Sequence, residues 1–265
     1  MTLDHSVIWI TGASSGIGEA IALELAKTKN VKLVLSARRA DEIQRVAIQT
    51  KLSAQDVLVL PMDMADIPSL PGHVEIVRQR FGRIDYLFQN AGISQRSTVM
   101  DTDFSVYERL MQVNYFGVVA LTKAVLPIML AQGSGYFVVT SSVAGKIGTK
   151  LRSGYSASKH ALHGFFDSLR AELYDAGIRV TMVCAGYIRT DLSISALAGN
   201  GQIHNKMDDN QANGMAPDEF ARRLLKAVKQ QKEEVYIGGT ETYGVYLKRF
   251  LPGILSWVLR KRKGA

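Results

Sequence analysis

The stretch between residues 7 and 25 constrains the fold of this chain more than any other. Residues 7–10 are a short apolar run that predicts a buried strand, and the glycine-bearing turn of residues 11–18 follows at once. Beyond the turn, apolar residues recur at helical spacing and predict an amphipathic helix: Ile17, Ala20, Ile21 and Leu25. This strand–turn–helix context makes the glycines a candidate phosphate-binding motif rather than a chance pattern.

The turn carries three glycines, each with a physical role. Gly12 lets the chain turn tightly, while Gly16 and Gly18 let backbone and helix approach a pyrophosphate, whose charge suits a helix N-terminus. Their spacing, G-x-x-x-G-x-G, differs from the G-x-G-x-x-G dinucleotide fingerprint. We expect the turn to bind a cofactor through the residues between these glycines as well: Ser14, Ser15 and Ile17.

A second pattern is the pair Tyr155 and Lys159, four residues apart in a predicted helix. At this spacing the two side chains share one helix face. The ammonium favours the phenolate, so the pair should lower the Tyr155 pKa toward the range useful for a general acid/base. Ser142 ends the predicted strand of residues 136–142 and could hold a substrate oxygen against the phenol. Taken alone, the Tyr-x-x-x-Lys pattern is also compatible with an incidental surface pair.

The motifs occur in one particular order: the glycine turn, Asn90-Ala91-Gly92, Asn114, Ser142, then Tyr155 and Lys159. In this order the chain resembles the short-chain dehydrogenase/reductase family, over roughly residues 6 to 240. The resemblance implies an α/β fold: a Rossmann-type doubly wound parallel sheet of strand order 3-2-1-4-5-6-7, with helices on both faces. It also implies one catalytic domain over residues 1–245, and an oxidoreductase that transfers a hydride between a nicotinamide and a carbonyl or secondary alcohol, a carbonyl reductase in one direction.

The resemblance further implies roles for individual residues. Tyr155 is the implied acid/base, Ser142 orients the substrate oxygen, and Lys159 holds the nicotinamide ribose and lowers the Tyr155 pKa. The main-chain carbonyl of Asn114 is implied to hold a water that links Lys159 to solvent. By itself, Asn114 is equally consistent with a satisfied core amide. Besides Tyr155 and Lys159, the implied cofactor contacts beyond the glycine turn are Asp63, Met64, Asn90, Ala91, Gly92, Ile188 and Thr190.

Two positions depart from the family pattern. Gln89 stands where the family usually has an asparagine, and Ala185 stands where it usually has a proline before Gly186. Asp63 has an alternative interpretation as the N-cap of the next helix.

The predicted strand Lys32–Ser36 is followed by Arg38 and Arg39. At this place in a dinucleotide fold, an acidic residue binds the ribose 2′-hydroxyl, whereas arginines accept a 2′-phosphate. Because two guanidiniums follow the strand and no carboxylate ends it, we expect NADP(H) rather than NAD(H). The alternative is that both arginines are solvated residues at a helix entry.

Residues 191–216 are polar and glycine-bearing, and a connection of this length is usually functional or mobile. We interpret them as a substrate lid. The expected substrate contacts are Ser142, Ile147, Leu151, Tyr155 and Tyr187. His160 and His163 lie on the Tyr155 helix, and without a carboxylate or cysteine ligand set nearby we expect packing residues and no metal site.

The C-terminal arm, residues 246–265, is apolar and aromatic up to Leu259 and then basic, with Arg260, Lys261, Arg262 and Lys263 contributing half of the formal net charge of +8. Such a segment suits an anionic membrane surface, although a docked arm with a solvated tail is equally consistent. Arm and lid together resemble the membrane-associated branch of the family that contains dehydrogenase/reductase member 7 and the 11-beta-hydroxysteroid dehydrogenases. Nucleic acid is not an expected partner, because the positive charge is concentrated at one end without an aromatic stacking platform.

Composition sets the remaining expectations. The one cysteine, Cys184, lies in an apolar strand and predicts a reducing compartment. Since no targeting segment is visible and no apolar run reaches the roughly 20 residues that span a bilayer, we expect a cytoplasmic protein with peripheral membrane contact. The broad apolar surface of the Tyr155 helix favours packing against a second subunit, and the family resemblance implies a homodimer or homotetramer formed through this helix and the Asn114 helix. We expect an NADP(H)-dependent oxidoreductase that acts on a lipophilic small molecule. The alternatives are an NAD-preferring alcohol dehydrogenase and a cofactor-binding regulator without turnover.

Overall fold

The sheet determines where every functional segment lies. Within residues 2–261, which the computed structural model describes, seven strands form one parallel sheet of order β3-β2-β1-β4-β5-β6-β7. They are β1 (Val7–Thr11), β2 (Lys32–Ser36), β3 (Val57–Val59), β4 (Tyr86–Gln89), β5 (Gly135–Ser142), β6 (Ile178–Ala185) and β7 (Glu234–Ile237). The predicted doubly wound fold and its strand order are confirmed. Only β3 differs clearly from its predicted span of residues 57–62, although the N–H groups of Leu60 and Met62 still donate to the carbonyls of Leu35 and Ala37 beyond its end.

Helices connect the strands and cover both faces. They are α1 (Gly16–Leu25), α2 (Ala40–Gln49), α3 (Leu70–Phe81), α4 (Phe104–Met111), α5 (Gly117–Ala131), α6 (Ser153–Leu173), α7 (Asp209–Ala212), α8 (Pro217–Lys229), α9 (Tyr243–Phe250) and α10 (Pro252–Lys261). A π-helical turn, Gln112–Phe116, joins α4 to α5. Short 3₁₀ turns lie at Ile67–Ser69, Val143–Gly145 and Thr240–Thr242.

Two apolar clusters form the core, one on each face of the sheet. Alternate residues of β1 belong to different clusters: Ile8 and Ile10 pack with α1, α2 and α8, whereas Trp9 packs with α3, α5 and α6. Because a parallel sheet is covered on both faces, its strands are apolar throughout rather than alternating. Polar chemistry is therefore left to the carboxyl edge of the sheet.

The continuous helical tract from Phe104 to Ala131 is long and apolar enough to cross a membrane by length and composition. This differs from the sequence expectation that no apolar run reaches that length. Of its most apolar 18-residue window, 44% is buried inside the protein. Core helices pass the same test, and Leu121, Val125 and Met129 pack against the sheet here. The tract is therefore a weak membrane signal and a part of the core.

The C-terminal arm docks on the loop that follows β5. Leu255 packs against Val143 and Ile147, and the Lys248 Nζ donates to the carbonyl of Lys146 at 2.6 Å. The other side of α9 and α10 exposes large apolar side chains: Tyr243, Tyr246, Phe250, Leu251, Ile254 and Trp257. Arg262 and Lys263 of the predicted basic end lie outside the described residues.

Candidate active site

A cleft of about 490 Å³ opens at the carboxyl edge of the sheet. In doubly wound sheets ligands bind at this edge, where the strand order reverses between β1 and β4. The cleft brings together most of the predicted site residues: Gly12, Ser14, Ser15, Gly16, Ile17, Arg38, Arg39, Asp63, Met64, Asn90, Ala91, Gly92, Ser142, Tyr155, Lys159, Ile188 and Thr190. The predicted residues that do not line it are Gly18, Asn114, Ile147, Leu151 and Tyr187.

The glycine turn between β1 and α1 has a backbone that side chains would disturb. Gly16 has a φ of +58°, and a Cβ built on it would lie 2.9 Å from Cγ2 of Thr190. A Cβ on Gly18 would collide with the carbonyl oxygen of Gly12. Gly18 therefore packs the start of α1 against the turn, whereas Gly16 keeps the floor of the cleft open.

The donors around this turn suit a phosphate. Ser15 is the N-cap of α1 but makes no capping hydrogen bond within residues 2–261, so its hydroxyl is not used by the helix. The Nη2 atom of Arg39 lies 3.4 Å from the Ser14 hydroxyl and 3.5 Å from that of Ser15. A helix N-terminus, two hydroxyls and a guanidinium therefore line one end of the cleft, and these groups fit a dinucleotide.

Tyr155 and Lys159 project from the first turns of α6 into the other end of the cleft. Both are buried, and the Lys159 Nζ lies 5.9 Å from the Tyr155 ring centroid. The same Nζ donates to the carbonyl of Thr140 on β5 at 2.8 Å. Burial lowers the pKa of Lys159 to about 8, because an ammonium loses solvation there.

The environment of Tyr155 differs from what the sequence pair predicts. Burial raises the pKa of Tyr155 above its usual value, and it outweighs the groups that favour the phenolate. Those groups are the Ser142 hydroxyl, through a hydrogen bond, and the charges of Arg152 and Arg96. In the protein without cofactor, the neighbouring Lys159 therefore does not produce the lowered pKa that its spacing predicts.

Ser142 is held at the end of β5 by its neighbours. Its Oγ accepts from the Ala144 N–H at 3.1 Å and donates to the Ala185 carbonyl at 3.3 Å. The hydroxyl caps the 3₁₀ turn Val143–Gly145 and lines the cleft beside Tyr155. To donate its one proton to a substrate oxygen, the hydroxyl would turn away from the Ala185 carbonyl.

Asn114 lies behind the cleft, in the π-helical turn. Its amide donates to the Ile93 carbonyl at 2.9 Å and to Ser158 Oγ at 3.0 Å, and it accepts from the Ile93 N–H at 2.8 Å. A Cβ on Gly92 would lie 3.2 Å from Asn114 Oδ1 and 3.4 Å from Lys159 Nζ. The amide is thus satisfied and close to the lysine, and the water-holding role of its carbonyl stays a prediction.

Asp63 lines the cleft near the end of β3. Its Oδ1 accepts from the Ala65 N–H at 2.9 Å, which closes a turn. The alternative interpretation as a helix N-cap is wrong, since the next helical turn is preceded by Asp66 and α3 by Ser69.

The predicted substrate contacts on the loops lie elsewhere. Ile147 is buried under Leu255 of the arm, and the Leu151 carbonyl accepts from the Ser97 N–H at 3.2 Å. The Tyr187 ring lies 5.6 Å from the Arg152 guanidinium carbon. The substrate roles of Ile147, Leu151 and Tyr187 therefore stay predictions.

His163 lies beside a cysteine and a carboxylate that the sequence analysis did not place near it. One of its ring nitrogens, the Cys184 sulfur and a Glu234 carboxylate oxygen all lie within 4.8 Å of one another. The expectation that no carboxylate or cysteine lies near this histidine is wrong, because α6, β6 and β7 are distant in sequence but adjacent in the sheet. However, Lys146 Nζ lies 2.6 Å from Glu234, and burial raises the Cys184 pKa to about 12, so the group does not favour a cation.

The proposed lid, residues 191–216, is bound to neighbouring segments by hydrogen bonds and ion pairs. The Arg96 N–H donates to the Leu197 carbonyl at 2.8 Å, and Gln211 Nε2 donates to Thr190 Oγ1 at 2.9 Å. Asp208 pairs with Arg96 and Arg152. Sequence reasoning missed these contacts, because no local pattern connects the lid to the loop after β4.

Comparison with known proteins places this geometry in a family. Residues 6–200 match the family described as "short chain dehydrogenase". The human protein "Dehydrogenase/reductase SDR family member 7" is 41% identical over 265 residues, which cover 98% of this chain and 78% of that protein. The resemblance to the member 7 branch is thereby confirmed.

Two solved structures share the fold. A short-chain dehydrogenase/reductase from Burkholderia phymatum, in complex with NAD, has a TM-score of 0.83 and 21% identity, covering 100% of this chain and 98% of its own. A short-chain dehydrogenase from Burkholderia cenocepacia, in complex with NADP, has a TM-score of 0.82 and 22% identity, covering 99% and 100%. At these identities the likeness concerns the fold.

Proposed function

The chain belongs to the short-chain dehydrogenase/reductase family, and we propose that it is an NADP(H)-dependent oxidoreductase of lipophilic carbonyls and secondary alcohols. Family membership establishes an oxidoreductase that acts on CH–OH or C=O groups. The cofactor preference and the substrate class are argued from this chain's own residues.

The end of β2 carries the NADP(H) proposal. Ser36, Ala37, Arg38 and Arg39 line the cleft in succession, at the place where an NAD-binding fold presents a carboxylate to the ribose. The Arg39 guanidinium also lies against the serine hydroxyls of the glycine turn. A 2′-phosphate would form ion pairs and bidentate hydrogen bonds with these arginines, which a neutral 2′-hydroxyl cannot form.

The proposed mechanism uses four residues. Tyr155 gives a proton to the substrate oxygen during reduction and takes one during oxidation, while Ser142 hydrogen-bonds the same oxygen. Lys159, oriented by the Thr140 carbonyl, supplies positive charge beside the phenol. Asn114 supports the proton path behind Gly92. When bound, the nicotinamide supplies or accepts the hydride.

The lipophilic substrate class is supported by the cleft near Tyr155. Ile93 lines it and packs against the apolar cluster that contains Tyr155, and Leu192 of the lid adds an apolar side chain to the same cleft, beside polar residues such as Ser195 and Gln211. Burying an apolar ligand against these side chains supplies binding energy in proportion to the area covered.

The C-terminal arm supports peripheral contact with an anionic membrane from the cytoplasmic side. Its exposed aromatic and aliphatic side chains lie on the same two helices as Lys248, Arg249, Arg260 and Lys261. Lys261 Nζ lies 4.2 Å from the Trp257 ring centroid, so cation and aromatic ring are presented together. An apolar face with basic residues complements an anionic interface.

A homodimer or homotetramer is proposed from the outer surface of the α4–α5 tract. The tract is strongly apolar, and two of its large side chains, Phe104 and Phe116, are exposed to solvent. A second copy covering this surface would remove it from water. Molar mass measured in solution by light scattering tests this, and a monomer at micromolar concentration would contradict it.

One screen tests the proposed function. The purified protein is mixed with NADPH or NADH and a panel of ketones, aldehydes, steroids and retinoids, and loss of the reduced cofactor is followed. We expect faster turnover with NADPH and with apolar substrates, and none in the Tyr155→Phe control. Preference for NADH would favour the NAD-preferring alternative, and tight NADPH binding without turnover on any substrate would favour the regulator.

A further inference from the structure

The lid carries a buried carboxylate that is held from outside the lid by two arginines. Arg96 donates to Asp208 Oδ2 through Nε at 2.8 Å and through Nη2, and Arg152 Nη2 donates to the same oxygen at 2.9 Å. The three side chains are 2%, 13% and 6% exposed for Arg96, Arg152 and Asp208. We call Arg96, Arg152 and Asp208 the lid cluster.

The lid cluster is attached to the backbone that positions Tyr155. Arg152 directly precedes α6, and its carbonyl accepts from the Ser156 N–H at 2.7 Å. The backbone N–H of Arg96 donates to the Leu197 carbonyl, and Leu197 packs against the apolar cluster that contains Tyr155. Both arginines are therefore tied to segments that pack around Tyr155, one to the start of its helix and the other to the lid.

The charges of the lid cluster do not cancel. Two guanidiniums and one carboxylate leave an excess of one positive charge, at the N-terminus of α6, which is also the positive end of its dipole. Buried charge is ordinarily compensated by a partner. Burial raises the pKa of Tyr155, and the Arg152 and Arg96 charges oppose that rise, so the excess charge acts on the phenolic oxygen.

We propose that the lid cluster sets the acid strength of Tyr155: Arg96 and Arg152 are positioning residues that stabilise the phenolate, and Asp208 of the lid limits their effect. This rests on the proposed role of Tyr155 as acid/base. The charged and polar groups around Tyr155 are Lys159 from α6, Arg152 from the residue that precedes α6, Ser142 from the end of β5 and Arg96 from the loop after β4, with Asp208 of the lid acting through the arginines.

Two substitutions should shift the pKa of Tyr155 in opposite directions. Arg152→Gln removes a positive charge and should shift the rising limb of the pH profile of kcat/KM for alcohol oxidation to higher pH, by about one unit. Asp208→Asn removes the negative charge and should shift it to lower pH by a similar amount. A merely structural role would lower activity in both variants without opposite shifts.

Two controls separate charge from shape. Arg152→Lys retains the charge, so the rising limb of its pH profile should lie at nearly the same pH as in the unmodified protein. Arg222→Gln removes an arginine from an exposed ion pair with Asp218 on α8 and should leave the profile unchanged. If Asp208→Asn does not fold, as judged by circular dichroism, the comparison of Arg152→Gln with Arg152→Lys still decides.

A second measurement needs no turnover. Tyrosinate absorbance is titrated for each variant with and without Tyr155→Phe, and the difference isolates Tyr155. Opposite shifts in this titration support the lid cluster even if the oxidoreductase screen fails. Shifts in the same direction, or none, would overturn the proposal. It would equally be overturned if Arg152→Gln raised KM only for carboxylated substrates and left the titration unchanged, since the cluster would then bind substrate anions.

Discussion

The Lys159 ammonium lies 5.9 Å from the centre of the Tyr155 ring, and its hydrogen bond goes to the Thr140 carbonyl at 2.8 Å rather than to the phenol. The sheet backbone, through β5, therefore orients the cation, while α6 places it beside the ring. The arrangement keeps a positive charge next to a proton donor without consuming the donor's own hydrogen bond. That oxygen stays available to Ser142 and to a substrate.

The lysine should impose an alkaline limit on activity. Burial lowers the Lys159 pKa to about 8, so the side chain is charged below that pH and neutral above it. We expect kcat/KM for ketone reduction to fall as the pH rises through about 8, because the cation beside Tyr155 is lost. Lys159→Arg stays charged at these pH values and should lack that limb. If kcat/KM fell near pH 8 in both proteins, the fall could not be assigned to loss of the Lys159 charge.

The arginines after β2 should discriminate between cofactors. Arg38→Ala should raise the KM for NADPH by about tenfold, the loss expected for a charge-assisted hydrogen bond, and change that for NADH by less than about twofold. Steady-state kinetics with both cofactors measures this. Arg223→Ala, at an exposed ion pair on α8, is the matched control and should change neither constant. Equal effects on NADPH and NADH would count against NADP(H).

The glycine turn should tolerate no methyl group at its centre. In Gly16→Ala the new Cβ would lie 2.9 Å from Thr190 Cγ2 at a φ of +58°, which costs about 1–3 kcal/mol in strain. We expect weaker NADPH binding in a fluorescence titration and a lower melting temperature. Gly72→Ala, near the start of α3 with nothing within 4 Å, should bind NADPH normally. Unchanged binding by Gly16→Ala would show that the cofactor avoids this turn.

The arm should bind anionic membranes through its exposed aromatic residues. Phe250→Ser with Trp257→Ser should reduce co-sedimentation with phosphatidylserine vesicles by about tenfold, because apolar area leaves the interface. Phosphatidylcholine vesicles should bind weakly in all cases. Ile48→Ser, an exposed apolar residue on α2, is the control. If the arm variant sedimented like the control, the arm would be a docked element and no more.

The glycine turn and the Tyr155/Lys159 pair were predictable because each is formed by residues close together in sequence, whereas the sheet order followed from the family resemblance of the motifs taken in order. The bounds of α3 were not predicted: its buried residues Leu70, Val74 and Val77 have helical spacing, but Pro71 and Gly72 interrupt the pattern at its start. At the N-terminus of a helix a proline costs little, so the interruption has no structural effect.

The lid contacts could not be read from the sequence for a different reason. Arg96 and Asp208 are 112 residues apart, and neither lies in a motif that predicts the other. The same holds for His163, whose neighbours Cys184 and Glu234 come from two later strands. Local patterns predict elements and the motifs on them, whereas the sources of charge around Tyr155 depend on how those elements pack.

The most direct test of the account compares binding with chemistry in Tyr155→Phe. Only one oxygen is lost, so the NADPH dissociation constant measured by cofactor fluorescence should stay within about twofold of the unmodified protein. Turnover on the best substrate from the screen should fall by at least about a hundredfold, the usual contribution of a general acid. Turnover that persists within about tenfold would contradict the account, because another group would then be supplying the proton.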